Sequence, residues 1–162
     1  MADQRAFEGF YRANVTRVVR ACALVTLDRS TAEDVAAEAF TRLWAHWGQI
    51  RDEDHAGGYV FKTAMRLCSK QGIKARREIV GAIAERPGTD EVSRLDERRA
   101  VFSALGLLSV RQRQSVALRD WAGYPTDEVA SLLGMRESTV RVHLSRGREA
   151  LRRSLSVEEQ ER

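Results

Sequence analysis

From Gln4 to Val25 the residues Phe7, Tyr11, Val15, Val18, Cys22 and Val25 recur every three or four positions. That period puts them on one face of a helix, so the spacing predicts a first amphipathic α-helix. Leu27–Ser30 reads as a turn. Ser30 or Thr31 is a candidate cap for a second helix, with Glu33 and Asp34 in its first turn, where carboxylates complement the positive end of the helix dipole. Its apolar side is Val35, Phe40, Leu43, Trp44 and Trp47. Arg51–Gly58 reads as a polar loop, and a third helix is predicted from about Tyr59 to Arg77.

The stretch Gly81–Asp90 interrupts the pattern and reads as a short interdomain linker. Helical spacing resumes near Val92: Val101, Leu105 and Leu108 mark one helix, Arg111–Trp121 another, and a pair follows from Thr126. Pro87 and Pro125, the two prolines, fall where the periodicity stops. No segment alternates as a strand does. The predicted fold is all-α, with two small helical domains: 1–80 as a three- to four-helix bundle, and 92–156, joined by 81–91 and followed by a polar tail, 157–162.

Composition narrows the chemistry. The chain has 162 residues, 43% hydrophobic, and a formal net charge of +4. So mild an excess leaves its distribution to decide whether it means nucleic acid. The N-terminus lacks the apolar core of a signal peptide, and no apolar run reaches about 18 residues, so no membrane span and a cytoplasmic location are expected. Cys22 and Cys68 lie in apolar helical patterns and read as small buried hydrophobes. His46, His55 and His143 form no recognisable triad or metal set, and the Asp52–His55 loop reads as a solvated turn. No Gly-rich phosphate loop is present. No catalytic residue, metal or cofactor is expected.

Three surfaces remain. Thr126–Arg148 has a capping residue, apolar Val129, Leu132 and Leu133, a turn glycine at 134, and a second helix whose inner side is Val140 and Leu144. That is the pattern of a helix-turn-helix with its second helix in the DNA major groove. Arg141, Val142, Ser145, Arg146 and Arg148 fall on its other faces; the arginines could bond guanine edges or phosphates. Second, Lys62, Arg66, Lys70 and Lys74 follow one another at intervals of four with no acidic residue from Lys62 to Arg77. Phosphates would relieve that repulsion, and Tyr59 and Phe61 at its start are candidates for stacking on bases. Third, Asp28, Glu33, Asp34 and Glu38 cluster at the start of the second helix and could dock a basic protein surface.

These parts, in this order, resemble a small sigma factor of bacterial RNA polymerase, of the extracytoplasmic-function (ECF) type. AEDVAAEAFTRLW (residues 32–44) resembles the most specific part of the family's region 2, YVFKTAMRLC (59–68) its promoter-facing part, and residues 104–152 its region 4. The resemblance implies that Glu33, Asp34 and Glu38, with Arg42, dock core RNA polymerase at its clamp helices, with the flap as a further contact. Tyr59, Lys62, Arg66, Lys70 and Lys74 would meet the minus-ten element of promoter DNA. Arg141, Val142, Ser145, Arg146 and Arg148 would meet the minus-thirty-five element. It also implies that the reaction belongs to the polymerase, and that an anti-sigma protein is a partner of many relatives. The chain departs from the family where Trp is frequent (Tyr59), where Asn is frequent (Arg66), and at Ala37, Ser109 and Arg136. Arg136 takes the place of a helix-capping serine, a role Ser138 could assume. A free-standing helix-turn-helix regulator and a sigma-like interaction protein stay open as alternatives.

Overall fold

The computed structural model describes residues 4–78 and 92–160, with side chains over 4–71 and 98–156. The linker 81–91 lies outside the described residues. Among them the chain forms α1 (Gln4–Thr26), α2 (Arg29–His46), α3 (Glu53–Glu78), α4 (Val92–Gly106), α5 (Val110–Val116), α6 (Thr126–Leu133) and α7 (Glu137–Gln160).

The first lobe packs α1 on α2 and α3. Phe10, Val18, Ala21, Cys22 and Val25 are the buried face of α1, so the helix is rotated slightly from the expected stripe. Tyr11 is left at the surface, its ring edge-on to Phe40 at 4.9 Å. In α2 alanines do much of the packing: Ala32, Ala36 and Ala39 are buried with Val35, Phe40 and Leu43, while Trp44 stays exposed against Phe7. The cap of α2 is Asp28, not Ser30 or Thr31; its Oδ2 accepts from Thr31 N at 2.7 Å. Leu27 turns the chain there with a left-handed φ of 59°. Cys22 and Cys68 are free and buried, as expected. A thiol hydrogen bond between them, with burial, pushes the Cys22 pKa up, so the Cys22 thiol stays protonated.

α3 begins six residues before Tyr59, at Glu53. Asp52 caps it, accepting from His55 N at 2.9 Å. The expected polar loop therefore becomes helix, and Gly57-Gly58 sits inside it at a cost of roughly 0.5–1 kcal/mol per glycine relative to alanine. The second lobe explains why nothing long stands there. A Cβ added at Gly57 would lie 3.5 Å from the Tyr124 hydroxyl, and one at Gly58 4.0 Å from Leu132 Cδ2. A methyl would fill that space; a longer side chain would push α6 away.

In the second lobe Ser109 and Gln112 form a reciprocal capping box at the start of α5. The single helix expected over Arg111–Trp121 is instead α5 followed by a π turn, Ala117–Trp121. Pro125, not Thr126, occupies the N-cap of α6, without a side-chain bond. Gly134 ends α6 with φ 63°, the left-handed geometry predicted for the turn. α7 starts at Glu137, so Ser138 lies within the helix and does not cap it; the Arg136 carbonyl accepts from Thr139 N and Val140 N. The helix also runs further than expected, to Gln160.

The lobes are packed together. One buried cluster runs from Val18, Phe61 and Met65 through Leu118 and Ala122 to Val129 and Val140.

Replacing Asp28 by Ala should lower stability by about 1 kcal/mol, or about 2–4 °C in Tm. Hydrogen bonds from Thr31 hold the Asp28 carboxyl pKa below its ordinary value. Its contribution is therefore full above the unfolded carboxyl pKa of about 3.9 and lost as pH falls through the lowered folded value. Thermal unfolding of both proteins across that range checks this, and a gap that persisted at the acid end would contradict it.

Candidate nucleic-acid and protein interface

The surface that α7 offers follows from which of its sides is buried. Val140 and Leu144 pack inward, leaving Arg141, Val142, Ser145, Arg146 and Arg148 exposed. The arginines are not equivalent. Arg141 pairs with Glu137 one turn earlier at 2.5 Å. Arg148 forks onto Asp120 of the π turn, with Nε 3.0 Å from Oδ2. Arg146 has no ion-pair partner among the described residues.

Arg119 and Arg152, which the sequence reading did not single out, complete this surface. With Arg141, Ser145 and Arg148 they line an open hollow of about 540 Å³ beside Thr126, the first residue of α6. Arg119 belongs to the π turn. Its direction could not be read from a helical period that the turn breaks.

His143 lies half-buried on the same helix, with Nδ1 buried and no hydrogen-bond partner in the structure. Desolvation, then the charges of Arg111 and Arg146, lower its pKa from the ordinary value. The imidazole is thus kept neutral beside a cationic surface.

On α3, Lys62, Arg66 and Lys70 are exposed, whereas the Lys74 side chain lies outside the described residues. Tyr59 is half-buried. Its ring lies 5.4 Å from that of His46, and its hydroxyl is 3.2 Å from His46 Nδ1. Phe61 is not a surface ring. It is 1% exposed, edge-on to Tyr124 at 5.3 Å and beneath the Arg17 guanidinium. The base-stacking expectation therefore fails for Phe61 in this arrangement.

The acidic surface of α2 is real but partly neutralised. Glu33 pairs with Arg29 and Glu38 with Arg42, each at 2.8 Å. Asp34 is exposed with no ion pair among the described residues. The structure does not bring the three surfaces into one site: they lie on α2, on α3 and on the second lobe. Among the described residues no cluster of His, Cys, Asp or Glu could hold a metal ion, and no helix is long and apolar enough to cross a membrane.

The family model for sigma-70 region 2 matches residues 10–78, and that for sigma-70 region 4 matches residues 98–151. The chain is 30% identical over 162 residues to the ECF RNA polymerase sigma factor SigL of Mycobacterium tuberculosis, covering 95% of this chain and 91% of the relative. It is 27% identical over 157 residues to the RNA polymerase sigma-E factor of Streptomyces coelicolor, covering 96% and 89%. Two solved structures share its fold at 20% identity. One is the sigma factor RpoE of Bartonella quintana, crystallised with the anti-sigma factor NepR (TM-score 0.79, covering 94% of this chain and 98% of that one). The other is CnrH in complex with the cytosolic domain of CnrY (TM-score 0.72, covering 96% and 90%).

The His143 environment gives a direct measurement. In an NMR titration its midpoint should lie below the ordinary value of about 6.5. It should rise when Arg146 is replaced by Ala, because a repelling charge is removed. A midpoint at or above 6.5 in the native protein would contradict the geometry.

Proposed function

The chain belongs to the ECF sigma factors of the sigma-70 family, and from that membership we propose how its surfaces divide the work of promoter-specific transcription initiation. It binds core RNA polymerase and directs it to promoters. The observation that carries the reading is the presence of both regions in one chain, in order, each with its charged surface turned to solvent.

The α2 face docks the polymerase clamp helices through Asp34, with Glu33, Glu38 and Arg42 released from their helix pairs on contact. Such exposed pairs are worth about 0–1 kcal/mol and exchange readily for intermolecular ones. The second lobe also contacts the flap. Lys62, Arg66, Lys70 and Lys74 follow the DNA backbone at the minus-ten element, with Tyr59 at its edge. An arginine at 66 favours a phosphate or a guanine edge over the base capture associated with asparagine. Arg146 reads the minus-thirty-five element, with Val142 and Ser145 against neighbouring base edges. Arg141 joins once it leaves Glu137. Arg148, tied to Asp120, orients the lobe through the backbone.

The domains are 1–80 and 92–156, with 81–91 between them and 157–162 as a tail. The chain contributes no catalytic group of its own, since phosphodiester synthesis is the polymerase's. Its place of work is the cytoplasm, and an anti-sigma protein is a further partner, a reading favoured by the likeness to the sigma factor solved with NepR.

Purified chain added to core polymerase with a promoter library should give transcripts from a defined subset. Failure to associate with core polymerase at any ionic strength overturns the reading. Replacing Glu33 and Asp34 together by Lys should abolish co-purification with core polymerase. Arg146→Ala should weaken promoter recognition by roughly 1–3 kcal/mol and relax preference at one base pair, as read by competitive transcription.

A further inference from the structure

We propose that His46, the last residue of α2, is a positioning residue for minus-ten recognition: it fixes the phenol of Tyr59 on α3 and leaves the phenol proton free to donate to DNA. This rests on the sigma-factor reading and adds to it a residue to which that reading gives no contact.

The end of α2 meets the second turn of α3 at this point. The His46 and Tyr59 rings lie 5.4 Å apart, centre to centre, and are inclined by 36°. The Tyr59 hydroxyl is 3.2 Å from His46 Nδ1, and among the described residues this is its only hydrogen bond. The same Nδ1 is 2.9 Å from the Arg42 carbonyl, one turn back on α2. His46 is exposed, whereas Tyr59 is half-buried, packed against the buried cluster.

These contacts fix where the protons lie. A carbonyl only accepts, so the contact with Arg42 requires a proton on Nδ1. That N–H is shared between the Arg42 carbonyl and the Tyr59 oxygen as a three-centre bond. The phenol oxygen therefore accepts from the imidazole, and its own O–H is left to donate elsewhere. A hydroxyl that already accepts is the stronger donor, because bonds in a chain polarise one another. The pairing is particular to tyrosine: a tryptophan at 59 would carry a donor N–H and no acceptor.

What the free O–H meets follows from the helix. Lys62 and Arg66 come three and seven residues after Tyr59, on the same side of α3, and both are exposed. A phosphate drawn to those cations, or an acceptor on the edge of an unpaired base beside it, arrives where the phenol proton is available. Released from His46, the phenol would turn about its two side-chain torsions and would have to be ordered as DNA arrives. Holding it beforehand moves that cost from binding to folding.

The test is fluorescence anisotropy of a labelled single-stranded minus-ten oligonucleotide bound by holoenzyme, assembled from core polymerase and the full chain. His46→Ala should weaken that binding by about two- to tenfold, the cost of ordering one side chain. Affinity for core polymerase and binding to minus-thirty-five duplex should not change. His46→Asn, whose amide can stand where Nδ1 does, should restore most of the loss. Tyr59→Phe should lose at least as much as His46→Ala, and the two together should be no weaker than Tyr59→Phe alone. Native binding in His46→Ala, an asparagine variant no better than the alanine one, additive losses, or a parallel loss of core-polymerase affinity would each overturn the positioning role. In all four cases, a native holoenzyme that binds the oligonucleotide leaves the functional reading intact. A native holoenzyme that does not bind it overturns both.

Discussion

The arrangement of the molecule depends on where one amide is satisfied. Gln114 is fully buried in α5, and both hydrogen bonds of its nitrogen end on α3, at the Met65 carbonyl and Ser69 Oγ. A buried amide left without partners costs about 1–3 kcal/mol. Sliding one lobe along the other by a turn would retain apolar contact but strand that amide. Shape alone would allow several packings of two helical lobes; the amide selects one. Ser69 also donates to the Met65 carbonyl at 3.2 Å, which closes a three-membered polar network at the seam.

Much of this was legible in the sequence where one element sufficed to reveal it. The 3.6-residue period marked α1, α2 and the helix-turn-helix, and Gly134 announced its left-handed turn. The region order carried the family. What stayed hidden was decided by caps, turns and neighbours that no single helical period records. Gly57-Gly58 reads as loop in isolation and is helix because Asp52 caps it and the second lobe packs beside it. Phe61 and Tyr59 are both aromatic at the start of α3, and only the arrival of Tyr124 and Arg17 determines that Phe61 is inside. The direction of Arg119 is not legible in the period because a π turn shifts the helical register just where it lies.

The cations divide into two kinds, and the division bears on what DNA would meet. Arg141, Arg148, Arg152 and Arg153 each have a carboxylate within reach on the surface of the second lobe. Lys62, Arg66, Lys70 and Arg146 have none among the described residues. Pairs so exposed are worth little and are screened by salt, so they do not withhold an arginine from a phosphate. They do orient it beforehand. Arg148, held in two bonds by Asp120 across two elements, is pre-positioned in a way that a lone surface arginine is not. Arg146, with no such restraint, pays more ordering entropy on contact but is free to seek a base edge.

Polar and apolar contacts between the lobes play different parts in holding them together. Parting the lobes would return Arg17 and Gln114 to water and leave Arg113 on the Leu105 and Leu108 carbonyls of its own lobe. It also uncovers part of the apolar cluster where Tyr124 meets Phe61 and where α5 meets Met65, and that surface favours closure. The balance is set by how much apolar area lies behind the polar contacts, not by the contacts themselves, since each hydrogen bond is exchanged for one to water. A partner that opens the chain must therefore cover apolar surface or supply equivalent binding energy elsewhere. Promoter DNA, polar along its backbone, is poorly suited to the first.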